Sequence, residues 1–145
     1  MESETIAIGN DHAGYDLKVV LKKKLVDLGY KVRDFGSDSA ESADYADFAH
    51  PLSEAVADAA CDWGILICGS GNGVAMTANK HKGIRAALCW EPEIAGLARL
   101  HNNANVLCIP ARYVSNEKAE AILHEFIRNA FEGGRHQRRI DKINC

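Results

Sequence analysis

Five short apolar runs recur along the chain, separated by segments whose apolar residues repeat at three and four. Residues 5–9 (TIAIG), 31–35, 63–68 (WGILIC), 85–90 (RAALCW) and 106–110 (VLCIP) read as strands. Residues 14–28 place Leu17, Val20, Leu21, Leu25 and Leu28 on one helical stripe. The lysines at 18, 22, 23 and 24 fall mostly off it and read as a solvated face. Gly29 ends that helix. Further helices are expected over residues 48–60, 72–80, 92–100 and 115–131, with Pro92 in a first turn and Ser115 as a cap. Strand–helix alternation of this kind folds as a parallel sheet covered on both faces, and the nearly all-apolar WGILIC run fits a strand buried on both sides. The chain of 145 residues suits one such domain, with no repeat, low-complexity stretch or linker.

A basic stretch, EGGRHQRRIDKINC at about 132–145, lies outside the alternation. It is too short for a nucleic-acid surface, and the net charge of −3 opposes one. Residues 1–10 lack the basic start and long apolar core of a signal peptide, and no apolar run reaches the roughly 20 residues of a membrane span. The five cysteines at 61, 68, 89, 108 and 145 form no CxxC pair. Three of them sit inside strand-like runs. A reduced, cytoplasmic setting without disulfides is expected.

Open sheets of this class bind ligands at the carboxyl ends of their strands. That edge collects Asp11 and His12 after the first strand, Cys68 through Gly73 after the third, Glu91 after the fourth and Arg112 after the fifth. The loop Gly69-Ser70-Gly71-Asn72-Gly73 is not a phosphate loop of the GxxxxGKS type, and Val74 spoils a dinucleotide fingerprint. No nucleophile elbow can be drawn around Ser70, which has Cys68 and Asn72 where glycines belong. What the loop does offer is backbone amides. Glycines and the start of the helix at about residue 72 turn N–H groups toward an anion or a developing oxyanion. The same field lowers the pKa of a nearby thiol, so Cys68 reads either as a partly ionised base or as a buried core cysteine. Six histidines raise the question of a metal, but HExxH and paired Cys/His spacings are absent, and none is expected. His12 lies at the ligand edge, and His101 ends a helix whose dipole favours a protonated ring; taken alone, either can be structural. Arg135 and Arg139, four apart, share one face if the tail is helical, and arginine forks suit phosphate oxygens.

IGNDHAG, DYADFAH, ICGSGNG, MTANKHKGIRAALCWEP, ARLHNNANVLCIPAR and GGRHQRRID, in this order, resemble the type B ribose-5-phosphate isomerase family, whose wider circle includes galactose- and allose-phosphate isomerases. The resemblance spans nearly the whole chain. It implies a Rossmann-like three-layer α/β sandwich and a homodimer, sometimes a dimer of dimers. It also implies aldose–ketose isomerisation of a sugar phosphate through an enediolate, with no cofactor, metal or nucleotide. Cys68, with Val74 after the loop, matches the branch that uses cysteine as base. By the same resemblance His101 assists ring opening, Asp11 lies near the sugar hydroxyls, and Ser70 with the amides of Gly69, Gly71, Asn72 and Gly73 holds the oxyanion. Asn102 contacts the sugar, Tyr45 lines the pocket, and His136 is a further contact. His12, Arg135 and Arg139 bind phosphate with Arg112 nearby. Part of the set comes from a second subunit, reached by the basic tail. A hexose-6-phosphate isomerase is the runner-up, and a non-catalytic sugar-phosphate sensor is a third reading.

Overall fold

The computed structural model describes residues 3–144, so Cys145 lies outside the described residues. Five strands, β1 (Thr5–Asn10), β2 (Lys31–Asp34), β3 (Trp63–Cys68), β4 (Ala86–Leu88) and β5 (Val106–Pro110), form one parallel sheet in the order β2-β1-β3-β5-β4. Six helices surround it: α1 (Tyr15–Asp27), α2 (Tyr45–Ala57), α3 (Asn72–Ala78), α4 (Pro92–Asn102), α5 (Asn116–Arg128) and α6 (Arg135–Asp141). This is the expected Rossmann-like α/β sandwich.

Strand alternation divides the core in two. Ile6, Ile8, Ile65, Ile67, Leu107 and Ile109 pack with Leu17, Leu21 and Leu25 of α1, Ala95 and Ala98 of α4, and Ile122, Leu123 and Phe126 of α5. Ala7, Leu66, Cys68, Val106 and Cys108 face the other way, onto Ala49, Leu52 and Val56 of α2 and Val74 and Ala78 of α3. Both faces of the central strands are therefore buried, as a parallel sheet requires. Each fully buried Ile or Leu contributes about 1.5–3 kcal/mol.

The lysine face of α1 is a correction. Lys18 is buried rather than solvated, and its ammonium donates to Asp34 Oδ2 at 2.9 Å and to the Ser37 carbonyl at 2.8 Å. Lys22 adds a donor to the same carboxylate oxygen at 3.2 Å. Leu28, assigned to the apolar stripe, is instead exposed. The Lys18–Asp34 pair ties α1 to the edge strand β2. Burial alone would raise the Asp34 pKa, but the Gly36 amide and the two lysines together hold it below the ordinary carboxylate value. Its ionised form is thus bound more tightly in the folded chain. The stabilisation is full above the unfolded pKa of about 4 and fades as pH falls through the lowered folded value. Asp34→Asn is expected to cost about 1–2 kcal/mol in urea unfolding at pH 7, the low part of the range for charged hydrogen bonds because the carboxylate keeps some water contact. The difference from the parent should shrink towards pH 3.

Candidate functional site

The expected residues fall into two groups. The first stands at the carboxyl edge where β1 and β3 diverge, the chain leaving β1 toward β2 and leaving β3 toward β5 and β4. Asp11 follows β1 and is 6% exposed. Its Oδ1 accepts from the amides of Ala13 at 3.0 Å and Gly14 at 3.3 Å, closing a single 3₁₀ turn over His12–Gly14. The Ala43 amide donates to His12 Nδ1 at 3.1 Å. Nδ1 also lies 3.3 Å from the Ala43 carbonyl, so the segment before α2 engages this nitrogen and leaves Nε2 for a ligand.

Cys68 ends β3, 4% exposed, among Leu66, Val74 and Cys108 on the α2/α3 side of the sheet. The loop after it is held from below: the amides of Ala111 and Arg112 donate to the carbonyls of Cys68 and Gly69 at 2.9 and 3.0 Å. Gly71 has φ +77°, a left-handed conformation that favours glycine, and it turns the chain into α3. Ser70 Oγ accepts from the Asn72 amide at 3.3 Å, while the amides of Ser70 and Gly71 find no acceptor among the described residues. Tyr45, from the first turn of α2, lies so close over Gly73 that a Cβ there would sit 2.5 Å from its ring. Arg112 lies over Gly69 in the same way, its Nη1 3.2 Å from a Cβ placed there. Asp11, His12, Tyr45, Cys68, the loop residues 69–73 and Arg112 therefore share one edge.

The second group is elsewhere. His101 and Asn102 close α4, which returns to the start of β5 at the opposite edge of the sheet. There the Arg85 guanidinium donates to the Asn102 carbonyl at 3.1 Å and to the Asn103 carbonyl at 2.9 Å. Two left-handed glycines, Gly133 and Gly134, turn the chain from α5 into α6, and the Glu132 amide donates to the Leu100 carbonyl at 3.1 Å. The tail is thus a helix packed on the end of its own chain's α4, with Arg135 and Arg139 exposed on it. The His136 ring stacks on His101 with centroids 4.3 Å apart and planes 15° apart. His136 is 5% exposed, so its contact is with His101 rather than with an open pocket. Burial first, then the charges of His101, Arg135 and Arg139, lower its pKa, with Glu132 opposing. Glu132 faces both rings, Oε1 3.8 Å from His101 Nε2 and Oε2 3.7 Å from His136 Nε2.

One chain does not bring these groups together. The five residues of β5 separate the edges by about 16 Å at roughly 3.3 Å per residue. Glu132 lies 31 residues from His101, and no spacing rule marks such a pair in the sequence. A second close histidine pair, His50 Nδ1 and His81 Nε2 at 2.7 Å, was equally hidden.

The family described as Ribose/Galactose Isomerase matches residues 6–143. Ribose-5-phosphate isomerase B of Escherichia coli is 45% identical over 140 residues, covering 97% of this chain and 94% of that protein. A ribose 5-phosphate isomerase structure from Thermotoga maritima superposes with a TM-score of 0.96 at 45% identity, covering 99% of each chain. Ribose-5-phosphate isomerase B of Mycoplasma genitalium, solved with ribulose-5-phosphate bound, superposes at 0.94 with 45% identity over 99% of this chain and 95% of its own.

Proposed function

The chain belongs to the ribose/galactose isomerase family, and we propose that it interconverts ribose 5-phosphate and ribulose 5-phosphate through a cis-enediolate. The observation that carries the reading is Cys68 at the end of β3, beside a glycine loop with free amides at the sheet's switch point. His101 acts as acid or base to open the furanose ring. The Cys68 thiolate then takes the proton from C2. The C–H electron pair becomes the C1–C2 double bond, and the charge moves onto the C1 oxygen. Amides of residues 69–73 and the Ser70 hydroxyl hold that oxygen. Removing one such donor typically costs roughly 3–4 kcal/mol of barrier. A proton passes from the C2 hydroxyl to the C1 oxygen, the thiol returns its own proton to C1, and the carbonyl reforms at C2. Asp11, Asn102 and Tyr45 position the sugar hydroxyls. His12, with Arg112, Arg135 and Arg139, binds the phosphate. His136 supports His101 by stacking.

The active unit is a homodimer in which a second copy supplies His101, Asn102, Arg135 and Arg139 to the Cys68 edge. Two observations support this. The two halves of the set lie on opposite edges of one chain, and the Cys68 edge is rimmed by exposed apolar side chains: Met76, Trp90 and Tyr113, with Tyr45 beside them. The chemistry runs without metal or cofactor, in a cytoplasmic setting that suits the four unpaired, buried thiols at 61, 68, 89 and 108. Among the described residues no helix is long and apolar enough to cross a membrane.

The test is conversion of ribose 5-phosphate to ribulose 5-phosphate in EDTA, with allose 6-phosphate alongside. Ribose turnover is expected. Turnover of allose 6-phosphate alone would move the substrate to a hexose, and sugar-phosphate binding without turnover of either would leave a sensor. In the same assay Arg139→Ala should raise KM by about tenfold or more, the loss of roughly 1.5–3 kcal/mol from a charged hydrogen bond, with Tm unchanged because the side chain is exposed. An unchanged KM would remove Arg139 from the phosphate site.

A further inference from the structure

Glu132, His136 and His101 form a compact donor set that the isomerisation does not use as a set. We propose that these three side chains bind a divalent transition metal of the zinc class, and that metal held there inhibits the enzyme by withdrawing His101. The donors are two imidazole nitrogens and a carboxylate, the set open zinc sites use, with a fourth position left for water. Their ligand atoms all lie within 4.8 Å of one another. The two contacts through Glu132, 3.8 Å from Oε1 to His101 and 3.7 Å from Oε2 to His136, are a little wider than the roughly 3.3–3.6 Å between two ligands of one tetrahedral zinc. Because the two rings stack 15° from parallel, one cation cannot lie in both ring planes, so His101, the more exposed of the two, turns out of the stack to ligate.

A second observation points to a ligand independently. His136 Nε2 is buried and has no hydrogen-bond partner. A buried polar atom without a partner costs about 1–3 kcal/mol, which is unusual for a native site. The atom sits on the side of the ring facing Glu132, where a metal would satisfy it. Imidazole donors favour zinc, cobalt, nickel or copper over magnesium or calcium, which take oxygen ligands. Arg135 and Arg139, on the same helix as His136, oppose a cation and moderate its affinity. Metal binding needs one chain only. The inhibitory consequence rests on the isomerase reading, in which His101 opens the sugar ring.

The test is titration of the purified full-length protein with Co²⁺, read by visible absorption, followed by displacement with Zn²⁺. One equivalent per chain is expected, with an intense tetrahedral-type spectrum. Glu132→Gln and His136→Asn should each weaken binding at least about tenfold. His50→Gln, which removes the other close histidine pair, should leave it unchanged. Zn²⁺ should suppress wild-type isomerisation, EDTA should restore it, and the Glu132→Gln enzyme should resist. Absence of stoichiometric binding, or equal binding by Glu132→Gln, overturns the site. Binding that leaves isomerisation untouched overturns the inhibition. Binding by a protein that turns over no sugar phosphate keeps the site and removes the isomerase reading.

Discussion

Cys68→Ala is expected to lower kcat for ribose 5-phosphate by about 10²–10⁴, the range that a positioned base contributes, while inorganic phosphate still binds. The substitution deletes one sulfur atom from a site already packed by Leu66, Val74 and Cys108, so the fold survives. Cys68→Ser should fare little better, because a hydroxyl is a far weaker base than a thiolate at neutral pH. The other described thiols cannot replace it. Burial pushes Cys89 up to about 12, and burial with its neighbouring thiols pushes Cys108 well above the ordinary range. Burial also raises Cys61. All three stay protonated at neutral pH. Steady-state kinetics with an equilibrium phosphate titration separates the two quantities. Full turnover in Cys68→Ala would remove the thiol from the chemistry. Loss of phosphate binding together with turnover would mean that the loop had collapsed.

The strands that pass through the middle of the sheet were the easiest to read in the sequence. β3 and β5 begin and end where their apolar runs do, because both faces are buried and nothing but apolar residues fits. The edge is less legible. Residues 85–90 look like a strand throughout, yet only Ala86–Leu88 pairs, since β4 has a neighbour on one side alone. The second helix starts at Tyr45 rather than residue 48, which carries the Tyr45 ring over Gly73. Lys18 defeats the charge pattern because its partner, Asp34, arrives from a strand 16 residues away. The site divides along the same line. Asp11, His12, the cysteine loop and Arg112 were placed together because each follows a strand. His101 follows a helix, and a helix that crosses back over a parallel sheet ends at the other edge. Periodicity describes each element by itself, so the His101–His136 stack and Glu132 beneath it leave no local trace.

That division makes a second large effect measurable. Cys68→Ala and His101→Asn are each expected to be inactive to within about 1% of the parent. If every site takes Cys68 from one copy and His101 from the other, a hybrid of the two variants contains one doubly defective site and one intact site. Equal amounts, co-refolded so that copies pair at random, leave half the dimers hybrid. Each hybrid carries one working site of two, so activity should return to about a quarter of wild type. Neither variant contributes a working site by itself, so the recovered activity reports only how the two edges are joined. A mixture no more active than its parents would mean that the two edges are not joined across copies. His101 would then stand at the opposite edge of the sheet from the thiol it is meant to assist, out of reach of proton transfer, and ring opening would fall to a residue on the Cys68 edge. Asp11, beside His12 and the cysteine loop, would be the first to replace.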